Sequence, residues 1–467
     1  MEIGRKDVIW NFFGTFMRVA SGVIVLPLVV KLLPREEVGL WGIFLVIGGM
    51  ATLLDFGFSN SFTRNITYIF SGVKELRKEG YTTVNDEDKT IDYGLLKSVI
   101  AAMRRYYGIL AVVFMVVFVA ASPFYLRDIL KDYHGDKHQV WIAWFVYGVL
   151  VAYQLYTYYY GSILSGRGKV KQLQQITIIG QACRILSSAV FILLGYGIIS
   201  LVIGQFVSDI VNRALCYSAF YDKATKQNLK IAAVTNVVDI MKIMSPNAMK
   251  IGITTAGGFM ISKAITLIAS KYITLSELAS YTTTRQMIDV IISLAFIWFG
   301  TYYPKITLHR VNNDMEQIKR MYLKAKFSLV AVFLVCGLGL IFVGPPLFSI
   351  IHSGTPLLST AMIAVFLIIS FLETNHGLSA QIILTKNEVP FAGASIISGT
   401  ASVILLFISL KLTTLGIWGM ILAPGIAQIC YQNWKWPLVV IKELHIKPKD
   451  YYISAITTIK TTLGISK

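Results

Sequence analysis

Apolar runs long enough to cross a membrane, separated by short polar segments, fill most of the chain. A spanning helix needs about 20 mainly apolar residues. Such runs lie at roughly 8–33, 38–58, 103–126, 139–164, 172–195, 197–220, 243–269, 277–302, 327–350, 357–384, 389–411 and 414–441. The pattern predicts an all-α polytopic membrane protein with about 12 transmembrane helices. The second run continues toward Phe70, and only Gly195-Tyr196-Gly197 parts the fifth from the sixth. Three connecting segments are long: 71–102, 221–242 and 303–326. The first mixes charges (Lys74, Glu75, Arg77, Lys78, Glu79) and reads as solvated and partly helical. The second separates six runs from six, which predicts two six-helix lobes, 1–235 and 236–467, around a central cavity. Beyond residue 443, Lys447, Lys449, Tyr451 and Tyr452 predict an interfacial segment on the inner leaflet.

Composition narrows the class. Of 467 residues, 55% are hydrophobic and only 15% charged, against about 25% charged in soluble domains. A soluble enzyme with an anchor is excluded. The net charge of +18 would point to nucleic acid in a soluble protein. Here it follows from orientation, because cytoplasmic loops collect Lys and Arg, and no nucleic-acid partner is expected. With both termini inside, cytoplasmic segments hold about 29 Lys and Arg, and outer segments about 7. Reversing the orientation reverses every loop. Cys183, Cys216, Cys336 and Cys430 sit in apolar runs without metal-ligand spacing and read as small buried hydrophobes, not a disulfide framework. The run from Val8 to Leu33 is too long for a signal-peptide core.

The chemistry lies in charges placed inside these runs. Arg18, Arg64, Arg184, Arg213, Lys250, Lys263 and Arg285 are embedded bases; Asp55, Asp209, Asp289 and Glu373 are embedded acids. A charge at mid-bilayer costs about 3 kcal/mol on insertion scales, so such residues face a wet interior or a partner. The excess of bases points to an anionic passenger. Arg18 lies about 15 Å into its span and Lys250 about 10 Å into the seventh. Lys263 follows Lys250 by 13 residues and is expected on the same face, level with Arg285 on the eighth span. Together they form a candidate cationic ladder, with Arg184 a further candidate. Arginine's planar fork suits phosphate oxygens.

A packing role competes with each of these readings. Asp209/Arg213 and Arg285/Asp289 are four residues apart and can neutralise themselves. Arg64 can snorkel to the cytoplasm. Asp55 reads either as a helix-packing partner of Arg64 or Arg18, or as a gating and ion-coupling acid. Glu373 and His376 share a face and read as a polar helix contact or a proton relay. Tyr147, Tyr153, Tyr156, Tyr158, Tyr159 and Tyr160 crowd the fourth span and read as interfacial anchors. Gly257-Gly258 allows close helix contact or bending. The chain shows no phosphate-cradling loop, zinc motif or catalytic triad spacing, so no enzyme activity, metal or cofactor is expected.

The opening seventy residues carry a resemblance. Asn11-Phe12-Phe13-Gly14, Arg18, Pro27-Leu28, Leu33-Pro34-Arg35-Glu36-Glu37-Val38-Gly39-Leu40-Trp41, Asp55-Phe56-Gly57 and Arg64 resemble the polysaccharide transporter family. These are the Wzx-type O-antigen and lipid-linked oligosaccharide flippases of the multidrug/oligosaccharidyl-lipid/polysaccharide exporter superfamily. The resemblance implies two lobes lined by the first, second, seventh and eighth spans, alternating access, and a bacterial inner-membrane location. It implies an undecaprenyl-diphosphate-linked oligosaccharide as passenger, membrane lipids as surroundings, and a polysaccharide polymerase and glycosyltransferases as partners. Ion-coupled multidrug export is the alternative within the superfamily, and a non-transporting glycan-assembly partner the alternative outside it.

Overall fold

A computed structural model describes residues 5–76, 90–234, 237–386 and 388–462. Residues 77–89 of the 71–102 loop, including Arg77, Lys78 and Glu79, and the expected lobe boundary at 235 lie outside the described residues. All regular structure among the described residues is helical. Every predicted run carries helix.

In chain order the elements are α1 (Arg5–Leu32), α2 (Arg35–Leu54), α3 (Phe58–Phe70), α4 (Tyr93–Ile129), α5 (Lys137–Tyr156), α6 (Tyr159–Gly166), α7 (Val170–Leu193), α8 (Ile199–Phe220), α9 (Lys223–Ile231) and α10 (Val237–Phe259). A π-helical turn, Met260–Ala264, leads into α11 (Ile265–Ala269). Then come α12 (Leu275–Val311), α13 (Met315–Phe342), α14 (Gly344–Ile350), α15 (Thr360–Leu384), α16 (Ala392–Leu412), α17 (Ile417–Ile429), α18 (Gln432–Glu443) and α19 (Pro448–Thr462). Nine helices among the described residues are long and apolar enough to cross a membrane. The chain is a multi-pass membrane protein.

The helix faces show why. On α4, Ile109, Val112, Val113, Val116 and Val117 are exposed at helical spacing. Tyr107, Ala111, Phe114, Phe118, Ser122 and Leu126 are buried on the other side. An exposed stripe this apolar suits acyl chains rather than water. The polar groups turn inward: Ser122 lies on the buried face, and its Oγ accepts the indole N–H of Trp144 on α5 at 2.8 Å.

The chain divides into two compact units, Met1–Ala256 and Gly257–Lys467. In the first, α1 packs on α7, α7 on α8, and α3 on α6. Its core joins Phe58, Phe62, Ile66, Met103, Tyr107, Tyr159, Ile163 and Phe220. In the second, α12 packs on α13, α13 on α15, and α15 and α16 on α17 and α18, while α19 lies on α13. Gly257 meets the α16 backbone at Ser395, leaving no room for a side chain, while the neighbouring Gly258 is open. Of the cysteines, only Cys216 is buried, and Cys430 is exposed. The expectation of four buried thiols fails because apolar runs in a membrane protein also supply the outward surface.

Candidate functional site

The second span is broken where the sequence reads Asp55-Phe56-Gly57. Phe56 and Gly57 both take left-handed backbone conformations, with φ of 47° and 73°. Glycine adopts that region freely, and a bulky residue does so at a cost of about 1–2 kcal/mol. Buried Asp55 holds the break. Its carboxylate accepts the Ser59 N–H at 3.1 Å, the Ser59 hydroxyl at 2.7 Å and the Tyr107 hydroxyl at 2.5 Å. These bonds cap the start of α3 and tie it to α4. The Phe56 ring packs where a side chain at Gly252 of α10 would stand, with the Phe56 Cβ 2.8 Å from that position. Asp55 forms no ion pair with Arg64 or Arg18 among the described residues. Its partners are two hydroxyls and an amide.

The bases of the first unit stand apart from its acids. Arg18 on α1 and Arg64 on α3 are exposed, and neither has a side-chain partner among the described residues. α1 is tied to α7 by Ser21, which donates to the Gln181 side-chain carbonyl at 2.7 Å. Arg184 on α7 is half-buried, with Tyr147 and Asp209 as its electrostatic neighbours. Asp209 accepts from Gln154 at 2.6 Å and from Gln205 at 3.1 Å. The expected Asp209–Arg213 pair does not close. The Arg213 Nε is buried and unbonded, because two amide side chains satisfy Asp209 first.

In the second unit the bases meet one acid. Asp289 on α12 accepts from Arg285 Nε at 2.8 Å through one oxygen and lies 3.4 Å from Lys263 Nζ through the other. The Arg285 guanidinium also stands over the Phe366 ring, 5.5 Å from its centre, and Phe366 stacks on Tyr281. Lys263 and Asp289 keep 38% and 36% side-chain exposure, against 16% for Arg285, so the lysine end of the cluster is the open one. Glu373 on α15 is near enough for its charge to act on Arg285, and it has no hydrogen bond or ion pair among the described residues. Its neighbour His376 places Nδ1 2.7 Å from Asn433 Oδ1 on α18.

Lys263 sits inside the π-helical turn. Such turns widen the helix locally and recur at functional sites. Two features correct the expectation that Lys250 and Lys263 share a face. Thirteen residues of α-helix make about 3.6 turns, which is nearer opposite faces, and the π turn shifts the phase again. The Lys250 side chain lies outside the described residues. The structure therefore brings together Lys263, Arg285 and, by charge, Glu373. Arg18, Arg64 and Arg184 belong to the first unit, and Asp55 is occupied as a cap.

One embedded base escapes the sequence reading altogether. Lys326 counts there as a loop charge ahead of the ninth span. It is 7% exposed, inside α13. Its Nζ donates to Asn375 O at 2.9 Å, to Asn375 Oδ1, and to Ser379 Oγ at 3.3 Å. The signal was present in the spacing. Tyr322, Lys326, Leu329 and Phe333 recur on one buried face, whereas Lys324 falls on the exposed one.

At the ends of the helices the charges are tied to the chain. Glu443 bridges Arg310 at 2.6 Å and Lys386 at 2.8 Å, joining α18 to α12 and to the segment before α16. Lys319 pairs with Asp450 of α19 at 2.7 Å. Asp222 caps α9. The Thr225 backbone N–H, then the Thr225 side chain, then the Arg167 guanidinium 2.9 Å away hold its carboxyl down to about 2.

No family model matches the chain, and no curated protein matches it significantly. Solved structures do. An inward-facing multidrug resistance MATE family transporter of the MOP superfamily superposes with a TM-score of 0.68, covering 92% of this chain and 94% of its own, at 15% identity. The chain shares the fold of that structure. The lipid II flippase MurJ in an inward closed conformation gives a TM-score of 0.63 at 14% identity, over 97% of this chain and 90% of that one. The MATE multidrug transporter DinF-BH gives 0.63 at 11% identity over 95% and 96%. Coverage of nine-tenths or more on both sides means that the likeness takes in both units of the chain.

Proposed function

We propose that this protein is a flippase for an anionic lipid-linked substrate, moving an undecaprenyl-diphosphate-linked oligosaccharide such as an O-antigen repeat unit from the cytoplasmic to the periplasmic leaflet of a bacterial inner membrane. The observation that carries this reading is the Lys263–Asp289–Arg285 cluster. Two cations share one carboxylate, and the lysine end is open. A diphosphate approaching Lys263 competes with Asp289 for that cation, and Arg285 stays neutralised by the acid. Arg18 and Arg64, without side-chain partners among the described residues, add positive charge in the first unit. The fold shared with a protein described as a lipid II flippase supports the substrate class. The glycan crosses by alternating inward and outward access while the polyprenyl tail stays in the bilayer. Both termini stand in the cytoplasm, and a polymerase and glycosyltransferases act on either side of the step.

A second reading, export of cationic drugs, is favoured by one feature. Glu373 is a carboxylate without a bonded base among the described residues, the group a cationic drug would seek, and the MATE neighbours are described as multidrug transporters.

One reconstitution separates them. Purified protein in liposomes is given a fluorescent polyprenyl-diphosphate glycan and, separately, a cationic rhodamine dye. The flippase reading expects protein-dependent exposure of the glycan lipid to an external quencher and no dye movement. Dye transport without glycan-lipid movement overturns it in favour of drug export.

A further inference from the structure

We propose that Lys326 is a proton-exchange site inside the C-terminal unit, giving up and taking back one proton as the protein changes state. The inference deepens the transport reading by naming a source of coupling, but its test needs no passenger.

The site is built from neutral groups. Lys326 Nζ is ringed by Asn375 O, Asn375 Oδ1 and Ser379 Oγ, with the Tyr322 ring 5.1 Å away. Buried cations are ordinarily paired with an acid or held by a metal-like cage, and no carboxylate is within ion-pair distance of Lys326 among the described residues. The elements packed on α13 bring few titratable groups toward it. From α15 come Glu373 and His376, the latter close enough for the Lys326 charge to act on it. From α19 comes Tyr451, near enough for its charge to act on Tyr322. α12 and α14 bring no bonding partner to Nζ among the described residues.

The hydroxyls make both protonation states satisfiable. As an ammonium, Lys326 donates three bonds to the three oxygens. As a neutral amine it donates two and accepts one. Ser379 can supply that bond by turning its proton toward Nζ while its oxygen accepts from Tyr322, 2.9 Å away, a contact in which either atom can donate. A fixed structural cation needs no such reversible partner. In the step itself an N–H bond of the ammonium breaks, the electron pair stays on Nζ, and the proton leaves to water.

The placement links the site to the open cluster. Glu373 acts on Arg285 at one end and on His376 at the other, and His376 feels Lys326. Glu373 and His376 on α15 thus stand electrostatically between Arg285 and the buried amine. These are electrostatic couplings between groups in one unit, with α15 as the common rigid element.

Two measurements test it on the full-length protein in detergent, without substrate. In lysine-labelled protein, the side-chain NMR resonance lost in Lys326→Met is expected to titrate between pH 5 and 9. A resonance that stays at the ammonium position across that range overturns the proposal. The hydrogen-exchange protection factors of α13 and α15, which remove the intrinsic pH dependence of exchange, are expected to change at least threefold over the same range in wild type and to be flat in Lys326→Met. Equal pH dependence in both proteins also overturns it. Where Lys326→Met does not fold, Ser379→Ala serves instead. It removes the rotatable partner and is expected to move the titration midpoint by half a pH unit or more, and an unmoved midpoint refutes the assignment. Failure of glycan-lipid transport with an intact titration would count against the flippase reading alone.

Discussion

Asp55 and Asp209, the embedded acids of the N-terminal unit, accept from Tyr107, Ser59, Gln154 and Gln205, whereas Asp289 in the C-terminal unit stands between Lys263 and Arg285. The first unit thus satisfies its acids with neutral donors and leaves Arg18 and Arg64 without partners among the described residues. The second draws acid and base into one cluster and cages its remaining buried base, Lys326, with neutral oxygens. Embedded charge alone does not distinguish a ligand site from a packing device; the identity of the partner does. An acid fully bonded to hydroxyls is a structural cap. A carboxylate shared by two cations, one of them open, is a site whose balance a ligand can change.

The difference can be broken by substitution. The largest stability effect is expected from Asp55→Ala. It strands the buried Tyr107 hydroxyl and uncaps α3, at a cost of about 3 kcal/mol, read by thermal or chemical unfolding in detergent. Asp289→Asn comes next. It leaves Lys263 and Arg285 facing each other without a counter-charge, about 2 kcal/mol, below the range for a dry pair because the site is partly exposed. Asp55→Asn is expected to be milder, about 1 kcal/mol, because an amide oxygen still accepts from Tyr107 or Ser59. If Asp55→Asn costs as much as Asp289→Asn, the contrast between the units fails.

The smallest effect belongs to a helix end outside both clusters. Asp222→Ala is expected to cost about 0.5 kcal/mol at pH 7 by removing the half-exposed α9 cap. The Asp222 carboxyl lies near 2 in the folded chain and near 3.9 when unfolded. Its stabilising share is therefore complete above about pH 4 and fades as pH falls through 2, so the variant and wild type should converge there. A gap that stays constant down to pH 2 contradicts an ionised cap.

The spans were legible because bilayer thickness fixes their length and every run of sufficient apolar length became helix. The breaks within spans were not. Asp55-Phe56-Gly57 is apolar enough to read as continuous helix, and only the left-handed backbone at Phe56 and Gly57 reveals the interruption. The π turn at Met260–Ala264 has no compositional mark, and the thirteen-residue spacing from Lys250 to Lys263 already falls short of a whole number of turns in a regular α-helix. Asp209 and Arg213 are correctly placed for an i,i+4 pair, yet Gln154 from another helix claims the acid first. Local spacing predicts which side chains can meet; it does not rank them against partners from elsewhere in the bundle. Lys326 was missed because it borders a loop, although its register with Tyr322 and Leu329 places it on the buried face.

The role of the unbalanced cations is most directly tested by comparing charge-removing with charge-keeping variants in the glycan-lipid assay. Arg18→Ala with Lys263→Ala is expected to lower the initial rate of polyprenyl-diphosphate glycan translocation at least tenfold while the protein remains folded, and Arg18→Lys with Lys263→Arg to retain most of it. Full translocation by the double alanine protein would contradict the role assigned to these cations.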